Sequence, residues 1–122
     1  MFSLQNKIAV VTGGGSGIGR AISALFAKQG ATVHILELTE ESATFEKIGA
    51  INILVNNAGI AHIGKVDTTP EADFDRIMNV NVKGVYNCLH AAIPQFRKSN
   101  GGVIVNMASI AAMVGIPDRF VY

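Results

Sequence analysis

A glycine-rich run between residues 12 and 19 is the part of the sequence whose composition points most directly to chemistry. The stretch Thr12-Gly-Gly-Gly-Ser-Gly-Ile-Gly19 follows the apolar, β-branched segment Lys7–Val11 and precedes residues at helical spacing. A glycine loop between a strand and a helix gathers free backbone N–H groups at the positive helix end, and missing Cβ atoms let a diphosphate approach. We therefore expect an anion site, with a purely structural turn as the alternative. The residues expected at this site are Gly13, Gly15, Ser16, Gly17, Ile18 and Gly19.

A single carboxylate, Glu37, indicates which nucleotide the loop would hold. It lies 18 residues after Gly19, near the roughly 20-residue separation at which an acidic side chain meets the ribose 2′-hydroxyl of a dinucleotide. The same charge would repel a 2′-phosphate. No Lys or Arg stands inside the glycine loop or directly after Glu37. The pattern therefore favours NAD, with NADP the less favoured cofactor.

Strands and helices alternate along the first part of the chain in a way that would position these groups. Ile18, Ile22 and Leu25 recur at helical spacing, and Gly30 stands where a left-handed residue would end that helix. Ala31–Leu36 is a second apolar segment. A strand, a helix and a strand within so few residues predict a βαβ unit with parallel strands.

The remainder of the chain continues the alternation. Only 12 residues, Thr39–Ala50, connect the second strand to a third at Ile51–Val55. Thr69-Pro70 predicts the start of a long helix with Thr69 as its cap, and Val103–Met107 is a further strand that is apolar on both faces. Such strands, alternating with helices, predict an α/β fold: a Rossmann-like doubly wound parallel sheet in a single three-layer domain.

Four motifs in the same order resemble the short-chain dehydrogenase/reductase family: the glycine loop, Asn56-Asn-Ala-Gly59, Asn81 within Val80–Gly84, and Ser109. The resemblance covers nearly the whole chain. It implies that Asn57 lies beside the cofactor. It also implies a catalytic tetrad of Asn, Ser, Tyr and Lys, of which Asn81, Ser109 and Tyr122 are present, with Tyr122 lying 13 residues after Ser109.

The resemblance also implies a function: an NAD-dependent oxidoreductase that transfers a hydride between nicotinamide and a secondary alcohol or ketone. Tyr122 would exchange the proton of the substrate hydroxyl, and Ser109 would hydrogen-bond the substrate oxygen. Asn81 would order a helix kink and a water in the proton relay.

Two departures from the family pattern affect this expectation. The family's Lys would stand four residues after Tyr122, and the sequence ends at Tyr122. Only 19 positions separate Glu37 from Asn56, where the family has a further strand with flanking helices. We therefore expect residues 1–122 to be a partial NAD-binding domain, truncated after the Tyr and lacking an edge strand. The alternatives are an inactive fragment that at most binds dinucleotide weakly, and an incomplete copy of a normal enzyme.

Composition narrows the classes of partner. The net charge is +1, with 49% hydrophobic and 16% charged residues, which predicts a packed core and disfavours nucleic acid and membranes as partners. A single cysteine, Cys88, and the absence of an apolar signal segment suggest the cytoplasm. The three histidines lack metal-ligand spacing, so no metal is predicted. We expect a small-molecule substrate, and a homo-oligomer only if a further C-terminal part is present.

Overall fold

The computed structural model describes residues 2–37 and 41–122, and its centre is one parallel sheet of four strands. The strands are β1 (Ile8–Thr12), β2 (Thr32–Leu36), β3 (Ile53–Asn56) and β4 (Val103–Asn106), and they lie in the order β2-β1-β3-β4. The helices are α1 (Gly17–Lys28), α2 (Glu41–Ile48), α3 (Glu71–Met78) and α4 (Gly84–Lys98). A π-helical turn, Asn79–Lys83, joins α3 to α4, and a 3₁₀ turn, Ile110–Ala112, follows β4. The predicted doubly wound α/β fold is confirmed. Thr39, the expected start of the short connection, lies outside the described residues.

The two faces of the sheet are covered by different helices, because successive side chains of a strand point to opposite faces. On one face Ala9, Val11 and Val55 form a buried cluster against Ile22 and Phe26 of α1. The cluster on the other face joins the sheet to α2 and α4 and contains Val10, Leu36, Phe45, Ile51, Leu54, Cys88, Ala92 and Phe96. β1 and β3 are therefore buried on both sides, as their unbroken apolar sequences predict.

The helices depart from the predictions in two respects. Ile22 packs on the sheet, but Ile18 and Leu25 are 64% and 56% exposed, so the stripe of α1 that contacts the sheet is narrower than the apolar spacing suggests. The predicted N-cap, Thr69, is wrong: Pro70 is the N-cap of α3. The Thr69 hydroxyl instead donates a hydrogen bond of 2.6 Å to the carbonyl of Lys65, which fixes the preceding turn.

The two edges of the sheet are open among the residues that the structure describes. β4 was expected to be buried on both faces, and that prediction is wrong: Val103 is 58% and Val105 41% exposed. The strand pairs with β3 along one edge, and all four of its residues are exposed. β1 pairs directly with β2 and β3, which leaves β2 as the opposite edge strand. This arrangement agrees with the expected absence of the family's edge strand.

Candidate active site

The glycine loop makes a sharp turn where β1 ends and α1 begins. Gly13 has φ of +61° and Gly17 has φ of +52°, both in the left-handed region that favours glycine. The Gly13 N–H donates to the Leu36 carbonyl at 3.1 Å, so the start of the loop still belongs to the sheet. Ser16 is the N-cap of α1, and its side chain makes no capping hydrogen bond. The N-terminus of α1 is therefore presented at the carboxyl edge of the sheet, with a hydroxyl beside it.

Gly19 fixes how closely α1 approaches the loop. A Cβ built on Gly19 would collide with the Gly13 carbonyl oxygen and with the side-chain amide of Asn57. The Ser23 hydroxyl, one turn along the helix, donates to the Gly19 carbonyl at 2.9 Å. Only a residue without a side chain lets the helix begin this close to β1 and to the loop after β3.

Thr12, the last residue of β1, connects the glycine loop to the Asn-Asn-Ala-Gly motif. Its side chain is buried, and its hydroxyl oxygen accepts hydrogen bonds of 3.0 Å from the backbone N–H groups of both Asn57 and Ala58. The same hydroxyl donates to the Val55 carbonyl at 3.5 Å. Thr12 was not among the predicted site residues, because a threonine that ends a strand has no local signature that separates it from a surface threonine.

Asn57 is held against the loop by its side chain as well. Its amide nitrogen donates to the carbonyls of Thr12 and Gly13 at 3.2 and 3.3 Å. The preceding residue, Asn56, is buried and donates to the Asn106 side chain at 2.8 Å, which ties the ends of β3 and β4 together. The oxygen of the Asn56 amide is buried and has no hydrogen-bond partner. The two asparagines therefore differ: Asn57 serves the glycine loop, and Asn56 serves the neighbouring strand.

Glu37 faces the glycine loop. Its carboxylate oxygen lies 3.5 Å from the position that a Cβ on Gly15 would occupy. Glu37 lines one cleft of about 460 Å³ together with Gly13, Ser16, Ile18, Asn57, Ala58, Gly59, Ile60 and Val80. Five predicted cofactor residues thus meet at one cleft, while Gly17 and Gly19 shape the start of the helix. A glycine loop at the start of a helix, next to a carboxylate, fits a dinucleotide.

A second cleft, of about 360 Å³, shares Asn57, Ala58 and Gly59 with the first. Its other walls include the three predicted catalytic residues, Asn81, Ser109 and Tyr122. The structure therefore brings all three together beside the first cleft. Tyr122 is 47% exposed, and the Ser109 hydroxyl accepts a hydrogen bond of 3.1 Å from the Ala111 N–H.

Asn81 sits in the π-helical turn between α3 and α4. Its side-chain oxygen accepts from the Ile60 N–H at 2.9 Å, and its side-chain nitrogen donates to the Ile60 carbonyl at 2.8 Å. A π turn displaces a helix from its regular path and frequently marks a functional site. Here it lets Asn81 reach the loop that follows Asn56-Asn-Ala-Gly59, in agreement with the expected distortion of the helix.

The family model of the short chain dehydrogenases matches residues 7–47 and 41–122. The chain belongs to this family. An oxidoreductase of Thermotoga maritima, described as uncharacterized, is 38% identical over 151 residues, which take in 98% of this chain and 60% of the relative. D-xylose 1-dehydrogenase of Caulobacter vibrioides is 33% identical, and the alignment covers 98% of this chain and 60% of that relative. The structure of an NAD⁺-bound xylitol dehydrogenase superimposes with a TM-score of 0.86 at 27% identity, covering 97% of this chain and 58% of that chain.

The alignments also locate the shortening of the chain. The chain spans about three fifths of the length of these relatives. An alignment of 151 positions takes in nearly all of a 122-residue chain, so the Thermotoga relative contains a stretch that this chain lacks. The family match divides into two segments that meet at residues 41–47. The missing stretch therefore falls between β2 and β3, where the sequence predicts it.

None of the helices in residues 2–37 and 41–122 is long and apolar enough to cross a membrane. Among the residues described, the acidic, histidine and cysteine side chains form no group that could hold a metal ion.

Proposed function

We propose that the protein is an NAD-dependent oxidoreductase that transfers a hydride between nicotinamide and a secondary alcohol or ketone of small size. The observation that carries the proposal is the adjacency of two clefts. The cofactor cleft joins the glycine loop to Glu37, and the catalytic cleft contains Asn81, Ser109 and Tyr122. We assign residues 1–122 to one dinucleotide-binding domain that contributes both clefts.

The cofactor cleft favours NAD over NADP on electrostatic grounds. The N-terminus of α1 and the loop N–H groups attract the diphosphate, each contact being worth about 0.3–1 kcal/mol. The Glu37 carboxylate, next to Gly15, can accept hydrogen bonds from ribose hydroxyls and repels a 2′-phosphate. Asn57 and Thr12 hold the floor of this cleft through their hydrogen bonds.

The second cleft carries the proton chemistry. A nicotinamide bound beside this cleft would supply the hydride acceptor for alcohol oxidation and the hydride donor for ketone reduction. In alcohol oxidation the Tyr122 oxygen takes the proton that leaves the substrate hydroxyl, and in ketone reduction the Tyr122 hydroxyl donates one. The Ser109 hydroxyl donates a hydrogen bond to the substrate oxygen, and Asn81 holds the loop at Ile60 in place.

A second candidate function is dinucleotide binding without turnover. The exposure of Tyr122 favours it, since 47% of this residue is open to solvent. Charge development at a catalytic site is stabilised best where water is excluded. The two candidates share the cofactor cleft and differ only in whether the Tyr122 cleft completes a reaction.

Calorimetric titration of the chain with NAD and with NADP tests the cofactor assignment. We expect NAD to bind more tightly, and we expect Glu37→Gln to weaken NAD binding by about 10-fold, since a charged hydrogen bond is worth roughly 1.5–3 kcal/mol. The matched control is Glu46→Gln on the exposed surface of α2, which should bind NAD as the parent does. Equal affinities of the parent for NAD and NADP, or no heat with NAD up to millimolar concentration, would contradict the assignment.

The absorbance of reduced nicotinamide then separates the two candidate functions. A panel of secondary alcohols and sugar acids is offered to the parent and to Tyr122→Phe. Loss of the proton-transfer group should lower turnover by about 10²- to 10⁴-fold and leave NAD binding unchanged. Intact NAD binding with no turnover of any panel member by the parent would support the binding function over catalysis of these substrates.

A further inference from the structure

A third recess, of about 390 Å³, adjoins Tyr122 and is separate from the cofactor cleft. It lies between the segment Gly64–Val66 and residues 111–122, and Tyr122 is the residue that it shares with the catalytic cleft. A group held in this recess would therefore be close to a substrate whose hydroxyl meets Tyr122. No residue of the recess is used by the proposed reaction except Tyr122.

Backbone hydrogen bonds hold the two walls of the recess together. The Gly64 N–H donates to the Asp118 carbonyl at 2.8 Å, and the Phe120 N–H donates to the Gly64 carbonyl at 3.1 Å, forming a parallel bridge between Gly64 and Arg119. The Lys65 N–H donates to the Thr68 hydroxyl at 3.0 Å. Lys65 and Arg119, which are far apart in sequence, are thereby brought to the lining of one recess.

The recess has an excess of positive charge. It is lined by two cations, Lys65 and Arg119, and by one carboxylate, that of Asp118. Neither cation forms an ion pair with another residue of the described part of the chain. The Arg119 guanidinium donates one hydrogen bond, of 3.2 Å, to the backbone carbonyl of Asp118, which leaves its remaining N–H groups available.

The rest of the lining is apolar, with Val66, Val114, Ile116 and Phe120 among its members. An apolar wall that presents two unpaired cations complements a small organic molecule with an anionic end. The Asp118 carboxylate repels an anionic ligand group less than Lys65 and Arg119 together attract it, because the lining side chains carry two positive charges and one negative charge.

We propose that this recess binds the anionic end of the substrate, so that the substrate is a hydroxy or keto compound bearing a carboxylate or a phosphate. The inference rests on the proposed function for the role of Tyr122, but the binding of an anion does not require the cofactor. Lys65 and Arg119 determine specificity, and they take no part in hydride or proton transfer.

The test is binding measured by amide NMR shifts on the cofactor-free chain, followed at the recess residues Gly64, Gly115 and Phe120. Matched probes are lactate against its methyl ester and glycerol 3-phosphate against glycerol. We expect the charged member of at least one pair to bind and the neutral member to bind at least several-fold more weakly. The lactate and phosphate arms distinguish a carboxylate from a phosphate as the preferred group.

Charge-neutralising variants connect the binding to the two cations. Lys65→Gln combined with Arg119→Gln should weaken binding of the anionic probe by roughly 10-fold, since each partly exposed charged contact contributes modestly. The matched control, Lys28→Gln combined with Lys98→Gln, removes two exposed lysines at helix ends and should bind as the parent does. Raising the salt concentration should weaken anion binding to the parent, a readout that requires no variant.

The outcomes separate this inference from the proposed function. The anion recess would be overturned by equal shifts from acid and ester, or by no binding of either anionic probe. Binding that changes neither with salt concentration nor in the double variant would also overturn it. These results would count even if NAD binds and neutral alcohols are oxidised. Anion binding that depends on Lys65 and Arg119 would support the recess even if NAD fails to bind, an outcome that would remove the proposed function alone.

Discussion

The junction of β1 and α1 differs sharply from the segment between β4 and Tyr122, although both line the candidate active site. At the junction, Thr12 is buried, Gly19 admits no side chain, and Asn57 hydrogen-bonds to two loop carbonyls. Along β4 the side chains are exposed, and Tyr122 is about half exposed. The cofactor cleft is thus fixed by contacts within the described residues, whereas the catalytic cleft is only partly enclosed by them.

This contrast shows that the two functions of a dehydrogenase have separate structural requirements. Holding a diphosphate needs a short loop, a helix end and one supporting loop, all of which lie between β1 and β3. Placing a proton donor next to a substrate needs walls on several sides, and β4 has a neighbouring strand on one side only among the described residues. Substitutions in the two regions should therefore have unequal effects on stability.

The largest effect is expected from Gly19→Ala. The new methyl group would meet the Gly13 carbonyl oxygen and the Asn57 amide. Because backbone atoms cannot yield cheaply, we expect a loss of about 3 kcal/mol in the free energy of unfolding, measured by urea denaturation. The control, Gly115→Ala, lies in the exposed segment where a Cβ would meet nothing, and its effect should stay within about 0.5 kcal/mol. Equal effects of the two variants would remove the contrast between the regions.

A smaller loss is expected from Thr12→Val, which keeps the shape of the side chain and removes the hydroxyl. The N–H groups of Asn57 and Ala58 would lose their shared acceptor, at a cost of about 2 kcal/mol. Hydrogen exchange of these two amides should also become faster. Thr12→Ser keeps the acceptor and should protect both amides as the parent does. Unchanged exchange in the valine variant would show that the hydroxyl does not support this loop.

The smallest effect comes from a matched pair of valines that are direct neighbours in the sheet, Val55 of β3 and Val105 of β4. Val55 is 1% exposed and Val105 is 41% exposed. Val55→Thr buries an extra hydroxyl and should cost about 1–2 kcal/mol, whereas Val105→Thr should change stability by less than about 0.5 kcal/mol. Thermal unfolding of both variants measures the difference. A larger loss at position 105 would mean that β4 is covered in solution.

The sequence predicts the fold well where the pattern is local. The strand, glycine loop and helix at the start of the chain follow from composition and spacing, and the shortened connection before β3 follows from a residue count. The exposure of β4 could not be predicted, because Val103–Met107 has the apolar composition of a central strand. Exposure depends on which neighbours are present, and that information is not contained in the strand itself.

The site divides in the same way. Glu37, Asn81 and Tyr122 could be selected from motifs and spacing. The roles of Thr12 and of the Lys65 and Arg119 pair could not, because each depends on a tertiary contact between distant residues. The Thr12 hydroxyl meets the Asn57 N–H across 45 positions of sequence. Arg119 and Lys65 line one recess because Arg119 forms a bridge with Gly64, the residue before Lys65.

The pair of hydrogen bonds between Asn81 and Ile60 has a mechanical consequence. The carboxamide of Asn81 presents one acceptor and one donor to a single residue, as a peptide unit of an adjoining strand would. Sliding the helical segment by one residue would orphan both groups of Ile60 at once, so its axial position is locked to the chain just beyond Gly59. If a bound ligand displaced the segment that follows Gly59, the π-helical turn would therefore move together with that segment.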